Sequence, residues 1–298
     1  METKLIDIGT AKLETCLQGE KGPIVVIETG MGDSFYNWNI ISKKIASKVR
    51  VLMYHRQGYG KSTLTEEPCT TEKIAKDLMM LLEKMYIEEP IILVGHSFGG
   101  LCALHFAKLF PNKLLGLILV DSSPVEYYKL EELKERLRSI QTKYPTTKAL
   151  ETMKKYSNMT EYELLKEINP TLSTRQLEFS NQIQEKIKDF SINSNLWKAQ
   201  VSEFENMIDS GKTIEALGNL SNIILKVIGR DGKVEISNLT KVGILEDEAK
   251  EFEELIQKYN KAKVDYSTNG EFILAKGVGH KIHIDCPDII IKTIEKLI

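Results

Sequence analysis

Six short apolar runs, most of them followed by a turn and a helical pattern, limit what this chain can fold into. They are residues 23–28 (PIVVIE), 49–54 (VRVLMY), 91–94 (IILV), 115–120 (LGLILV), 223–228 (IILKVI) and 271–275 (EFILA). The runs are apolar on both alternating faces, as strands are when helices cover both sides of a parallel sheet. Helical patterns fall between them, near residues 35–48, 71–86, 98–110 and 246–260, with a last one from about 287. Such alternation predicts an α/β fold with a mainly parallel sheet. Residues 4–8 and 11–18 read as an antiparallel hairpin added at one edge.

The rhythm breaks between Ser122 and about Leu220, a stretch rich in Glu and Lys. Leu130, Leu133, Leu137 and Ile140 recur at helical spacing and stop before Pro145. Thr160-x-x-Glu163 and Ser173-x-x-Gln176 are capping-box patterns, each expected to open a helix. Phe179, Ile183 and Ile187, then Trp197, Val201, Phe204 and Ile208, form further one-sided apolar stripes. The expectation is one core domain made of residues 1–121 and 220–298, interrupted by an all-helical insertion over 122–219. That insertion is long for a crossover between strands.

Composition narrows the function. A net charge of −2 gives no electrostatic argument for nucleic acid or an anionic membrane surface. No run is long and apolar enough to span a bilayer, and the first residues alternate polar and apolar like a strand, unlike a signal peptide. The four cysteines, Cys16, Cys69, Cys102 and Cys286, lack the spacing of a zinc or redox site. They read as buried thiols in a reducing, cytoplasmic setting, and the sequence offers no metal-ligand cluster.

Gly95-x-Ser97-x-Gly99 lies where a buried run gives way to a helix that ends before Pro111. A serine there sits on a sharp turn with its hydroxyl raised above the sheet. Side chains at Gly95 and Gly99 would collide with neighbouring backbone. The helix start supplies unpaired N–H groups where a developing oxyanion is stabilised. The plain structural alternative is an N-cap serine on a tight strand–helix turn.

With these residues in register, the sequence resembles the α/β-hydrolase fold family over residues 1–121 and from about 219 to the end. Three more segments carry the likeness. Residues 28–34 (ETGMGDS) look like the oxyanion loop after the third strand. Residues 54–62 (YHRQGYGKS) look like the family's Asp-Arg-x-Gly-x-Gly-x-Ser segment, with His55 in place of Asp. Residues 279–287 (GHKIHIDCP) look like its Gly-His segment. The resemblance implies an eight-stranded, mostly parallel sheet, a nucleophile after the fifth strand, and a helical cap after the sixth. It also implies no cofactor and no metal.

A serine hydroxyl needs a base. Of the five histidines, His280 follows the last run in Gly277-Val-Gly-His, on a loop expected near Ser97. The resemblance places the acid after the seventh strand, which points to Asp231 in Gly229-Arg230-Asp231-Gly232. The alternative acid is Asp121, which ends the sixth. Oxyanion donors are the amides of Phe98 and Met31, with Gly30 and Gly32 letting the loop approach the reacting carbonyl. His55 ends the fourth strand on the edge where ligands bind in such sheets, so a substrate-binding role is open to it. The expected activity is hydrolysis of a small or medium carboxylic ester through an acyl-serine; amide, thioester, lactone and carbon–carbon substrates would use the same residues. An epoxide hydrolase or haloalkane dehalogenase of this fold would need a carboxylate at position 97. The rival reading is a non-catalytic, receptor-like binding protein on the same scaffold.

Overall fold

The computed structural model describes residues 1–220 and 222–298. Eight strands form one sheet: β1 Lys4–Asp7, β2 Lys12–Gln18, β3 Ile24–Glu28, β4 Arg50–Tyr54, β5 Ile91–His96, β6 Leu114–Val120, β7 Ile224–Arg230 and β8 Asn269–Ala275. Their order across the sheet is β1-β2-β4-β3-β5-β6-β7-β8. β2 runs antiparallel to both of its neighbours, and the pairs from β4 through β8 are parallel.

Helices α1 (Asn39–Ile45), α2 (Thr71–Lys84) and α3 (Phe98–Leu109) lie between the strands of the first half. Between β6 and β7 the chain forms α4 (Tyr127–Arg136), α5 (Arg138–Lys143), α6 (Thr146–Ser157), α7 (Glu161–Ile168), α8 (Asn181–Ser191), α9 (Ser194–Glu205) and α10 (Met207–Ala216). Then come α11 (Gly232–Lys241), α12 (Glu246–Ala262), α13 (Ile282–Asp285) and α14 (Pro287–Glu295). Among the described residues, no helix is long and apolar enough to cross a membrane.

The doubly apolar strands are buried on both faces. Val26, Leu93, Leu117 and Leu225 pack against Leu78, Leu81 and Leu104 of α2 and α3. On the opposite face, Val25, Val94 and Ile118 pack against Trp38, Ile41 and Ile290. Burying each such side chain contributes roughly 1.5–3 kcal/mol. Parallel pairing then sets the site, because Glu28 is in register with Gly95, His96 with Val120, and Val120 with Ile228. The residues just beyond these positions therefore emerge side by side at the carboxyl edge.

Three local readings differ from expectation. The Thr160–Glu163 box opens α7, but the Ser173–Gln176 pair precedes only a single 3-10 turn, Gln176–Glu178. Phe179 is extended there, and α8 starts after Ser180. In α9, the expected stripe of Trp197, Val201 and Phe204 is only half-buried, with Trp197 edge-on to Tyr156 of α6. The fully buried face carries Leu196, Ala199, Gln200 and Glu203. Helix α11 was not anticipated, and it matters for the site.

Candidate active site

Ser97 sits at the junction of β5 and α3 with φ 54° and ψ −122°. A non-glycine residue in that region carries roughly 1–3 kcal/mol of strain, which the packing around it must hold. The packing is close. A Cβ on Gly95 would lie 2.5 Å from the Gly99 carbonyl oxygen, and one on Gly99 would lie 2.2 Å from that of Thr29. Only glycine lets α3 start this near to β3 and β5.

His280 stands over the serine, with Nε2 at 3.1 Å from Ser97 Oγ and Nδ1 at 2.5 Å from Asp121 Oδ2. Its main-chain N–H donates to Glu235 Oε1 of α11 at 3.0 Å, which fixes the loop. A Cβ on Gly279 would fall 2.2 Å from that same oxygen. The imidazole is 39% exposed, whereas the Asp121 side chain is 1% exposed. The outer edge of the His280 ring is thus open to solvent while its partner is sealed.

Asp121 directly follows β6 with φ 40°. Its Oδ1 accepts from Asn260 Nδ2 at 2.7 Å, and Arg230 Nη1 lies 3.3 Å from Oδ2. Burial alone would raise this carboxyl. The Arg230 guanidinium and the bond to His280 overcome it and hold the group well below the usual carboxylate range. A carboxylate held ionised in this way can stabilise positive charge on the neighbouring His280 ring.

Asp231, the expected acid, does not meet His280. It is the N-cap of α11, where Oδ1 accepts from Lys233 N at 3.0 Å and Oδ2 from Gly277 N at 2.9 Å. The Asp-Gly pair serves the start of a helix, and the alternative, Asp121, occupies the place beside His280.

In the loop after β3, a Cβ on Gly30 would lie 3.4 Å from Ser97 Cβ. No acceptor among the described residues takes the main-chain N–H of Met31 or of Phe98. Gly32, with φ 67°, is different: its N–H donates to the Tyr59 hydroxyl at 2.9 Å and is not free for a substrate. His55 is likewise corrected. It is fully buried and stacked on Phe35, with Nε2 at 3.1 Å from Ser34 Oγ and Nδ1 at 2.9 Å from Glu14 Oε2. Neither ring nitrogen is left for a ligand. Glu14 also accepts from Lys61 N at 3.0 Å, so a glutamate from β2 holds the loop that follows β4.

Folding also assembles what spacing did not predict. Donor atoms of Asp33, His96 and His283 lie within 4.8 Å of one another, a set with metal-ligand chemistry. Asp33 is already engaged: Oδ1 accepts from Asn37 at 2.6 Å, and Oδ2 from Trp38 at 3.4 Å, with His283 Nε2 at 3.3 Å. Burial would raise Asp33, but the His283 and His96 rings and the Asn37 amide hold it well below the usual range. Burial, reinforced by the His283 and His280 rings, pushes His96 well below its ordinary value. His96 Nε2–H donates to the His280 carbonyl at 3.0 Å. His96 thus braces the His280 main chain from behind.

Sequence reading also missed Arg56, Glu203, Arg230 and Asn260. Arg56 stands in the quoted 54–62 segment, and Glu203 shares a helical face with Leu196 and Ala199, which was the available signal.

The sequence profile of the alpha/beta hydrolase fold family matches residues 23–175. Protein phosphatase methylesterase 1 of Bos taurus is 32% identical over 146 residues, 47% of this chain and 38% of its own length. The chain thus spans well under half of the methylesterase it matches. An AB hydrolase superfamily protein of Gibberella zeae is 23% identical over 301 residues, covering 93% of this chain and 87% of that protein. Among solved structures, a thermophilic esterase from Thermogutta terrifontis superposes with a TM-score of 0.64 at 18% identity, over 99% of this chain and 97% of that one. A laboratory-evolved variant of potato epoxide hydrolase gives 0.67 at 17% identity, over 99% and 98%.

Proposed function

The chain belongs to the alpha/beta hydrolase fold family, and from that premise we propose that it is a serine esterase. It cleaves a small or medium carboxylic ester through an acyl-serine intermediate. One observation carries this reading: Ser97, His280 and Asp121 form a continuous hydrogen-bonded chain, with the serine held in a strained elbow.

In this mechanism, Ser97 Oγ attacks the ester carbonyl as its proton passes to His280 Nε2. The Met31 and Phe98 amides receive the oxyanion. Asp121 stabilises the imidazolium, which then protonates the departing alcohol. Water, deprotonated by the same imidazole, releases the acid. The similarity to a methylesterase supports an ester over other acyl substrates. Against the epoxide hydrolase neighbour stands position 97, a serine where that chemistry requires a carboxylate.

Residues 122–219 act in this reading as a cap. Supporting it, the buried face of α9 rests on the loops beyond β3 and β4, at the carboxyl edge. A Cβ on Gly58 would lie 2.8 Å from Ala199 Cβ. Four free cysteines, three of them buried, support a reducing cytoplasm.

The test is turnover of p-nitrophenyl esters of graded acyl length, with fluorophosphonate labelling. Labelling at Ser97 and loss of turnover in Ser97→Ala support the reading. A folded Ser97→Ala variant with wild-type turnover overturns it, and a wild-type chain that neither labels nor turns over leaves the non-catalytic, receptor-like scaffold.

A further inference from the structure

We propose that Arg56 is a positioning residue for the oxyanion hole, and that Glu203 of the inserted helix α9 locks it in place. The inference rests on the esterase reading, because it concerns the Met31 amide.

Arg56 follows β4 and is buried, with a side chain 2% exposed. Its fork is engaged on every nitrogen. Nη1 donates to the Thr29 carbonyl at 2.6 Å and to Glu28 Oε1 at 2.7 Å. Nη2 donates to the Gly30 carbonyl at 3.1 Å, and Nε to Glu203 Oε1 at 2.9 Å. The Tyr59 ring lies beneath the guanidinium, 4.5 Å from its carbon.

The Gly30 carbonyl and the Met31 N–H belong to one peptide unit. In a trans peptide these two groups point in opposite directions within one plane, and no peptide bond among the described residues is cis. Anchoring the Gly30 carbonyl therefore fixes where the Met31 N–H points. A cation on that carbonyl also polarises the amide, strengthening its outgoing bond by roughly 10–30%. The neighbouring plane is fixed too, since Gly32 N–H is held by the Tyr59 hydroxyl, which donates to Glu203 Oε2 at 2.6 Å.

Glu203 thus joins both struts. A Cβ on Gly32 would lie 2.6 Å from Gln200 Oε1, so α9 presses on the same loop through a second side chain. With Glu203 only 1% exposed, water has no access to substitute for the carboxylate. The insertion is therefore a structural part of the oxyanion hole, besides covering it.

The experiment compares Arg56→Lys, Glu203→Gln and Tyr59→Phe with wild type, using the full chain. Readouts are kcat and KM on a p-nitrophenyl ester, and the inhibition constants of two ligands. One is an alkyl trifluoromethyl ketone, which forms an oxyanion on Ser97. The other is the matching secondary alcohol, which does not. Arg56→Lys is expected to lower kcat by about tenfold to a hundredfold with KM within about twofold. Ketone affinity should fall in proportion and alcohol affinity should hold. Glu203→Gln, which keeps shape and most packing, should show the same split at about tenfold, and it carries the test if Arg56→Lys does not fold. Unchanged kcat, or equal loss of both ligands, overturns the positioning role. Ser97→Ala separates the two claims. If it is inert while the Arg56 and Glu203 variants behave as wild type, only the positioning role fails. If it retains turnover, the esterase reading and this inference fall together.

Discussion

Asp121 Oδ2 lies 2.5 Å from His280 Nδ1, and the same carboxylate is held from behind by Asn260 and Arg230. Asp121→Asn should leave the fold intact and lower kcat by about 10³–10⁴, because the imidazole then adopts the wrong tautomer. Asp231→Ala should leave kcat within a few-fold and lower stability by about 1 kcal/mol through loss of the α11 cap. Steady-state kinetics paired with urea denaturation distinguishes the two. Equal kinetic losses at both aspartates would reject the assignment of Asp121.

The strain at Ser97 makes an opposite-sign prediction for stability and activity. Glycine adopts φ 54°, ψ −122° without the Cβ penalty. Ser97→Gly should abolish turnover and raise stability by about 1 kcal/mol. Differential scanning calorimetry reads this as a higher Tm, and an unchanged or lower Tm would show that the elbow stores no releasable strain.

Gly279 and Glu235 should act as a pair. A Cβ at 279 displaces the carboxylate that receives the His280 N–H. Gly279→Ala and Glu235→Ala should each cut kcat by about tenfold, and the double variant should lose little more than either, as residues sharing one contact do. Multiplied losses in the double variant would place their effects in separate contacts.

Acid should weaken the fold through its buried neutral histidines. Burial lowers His105 from 6.5 to about 4, and it lowers His55 and His96 as well. Between those two values the unfolded chain binds more protons than the folded one, so stability rises with pH. The contribution of His105 is fully present above 6.5 and is lost as pH falls toward 4. His105→Asn, which keeps an amide beside Thr71, should flatten the slope of unfolding free energy by at most about 1.4 kcal/mol per pH unit. An unaltered slope would assign the acid sensitivity to other groups.

What the sequence revealed, and what it hid, follows from the range of the forces involved. The strands were legible because burial on both faces leaves no polar alternation, as in IVVIE of β3. Ser97 and His280 were legible because each sits on a glycine-lined turn whose geometry only certain residues satisfy. Asp121 lost to Asp231 because a carboxylate at a strand end and one at a helix start look alike until the pairing of β6 with β7 is known. Helix α11 was hidden by the β-branched Val234, Ile236 and Thr240. Glu203 was hidden because α9 packs on two sides, and its apolar stripe faces α6 while its mixed face meets the core. The gathering of Asp33, His96 and His283 depends wholly on tertiary approach.

The excursion between β6 and β7 leaves and returns at strands that are direct neighbours, roughly 4.8 Å apart. A sheet tolerates any length of chain inserted at such a point, so grafting a homologue's helices between Asp121 and Ile224 is mechanically simple. The Arg56–Glu203 bond makes the graft chemically selective. A donor segment without an acid at the position of Glu203 would leave the buried Arg56 Nε without its acceptor while Glu28 still pairs the guanidinium, at a cost of about 1–3 kcal/mol. Chimeras of this scaffold should therefore sort by that single residue before they sort by the shape of the pocket they bring.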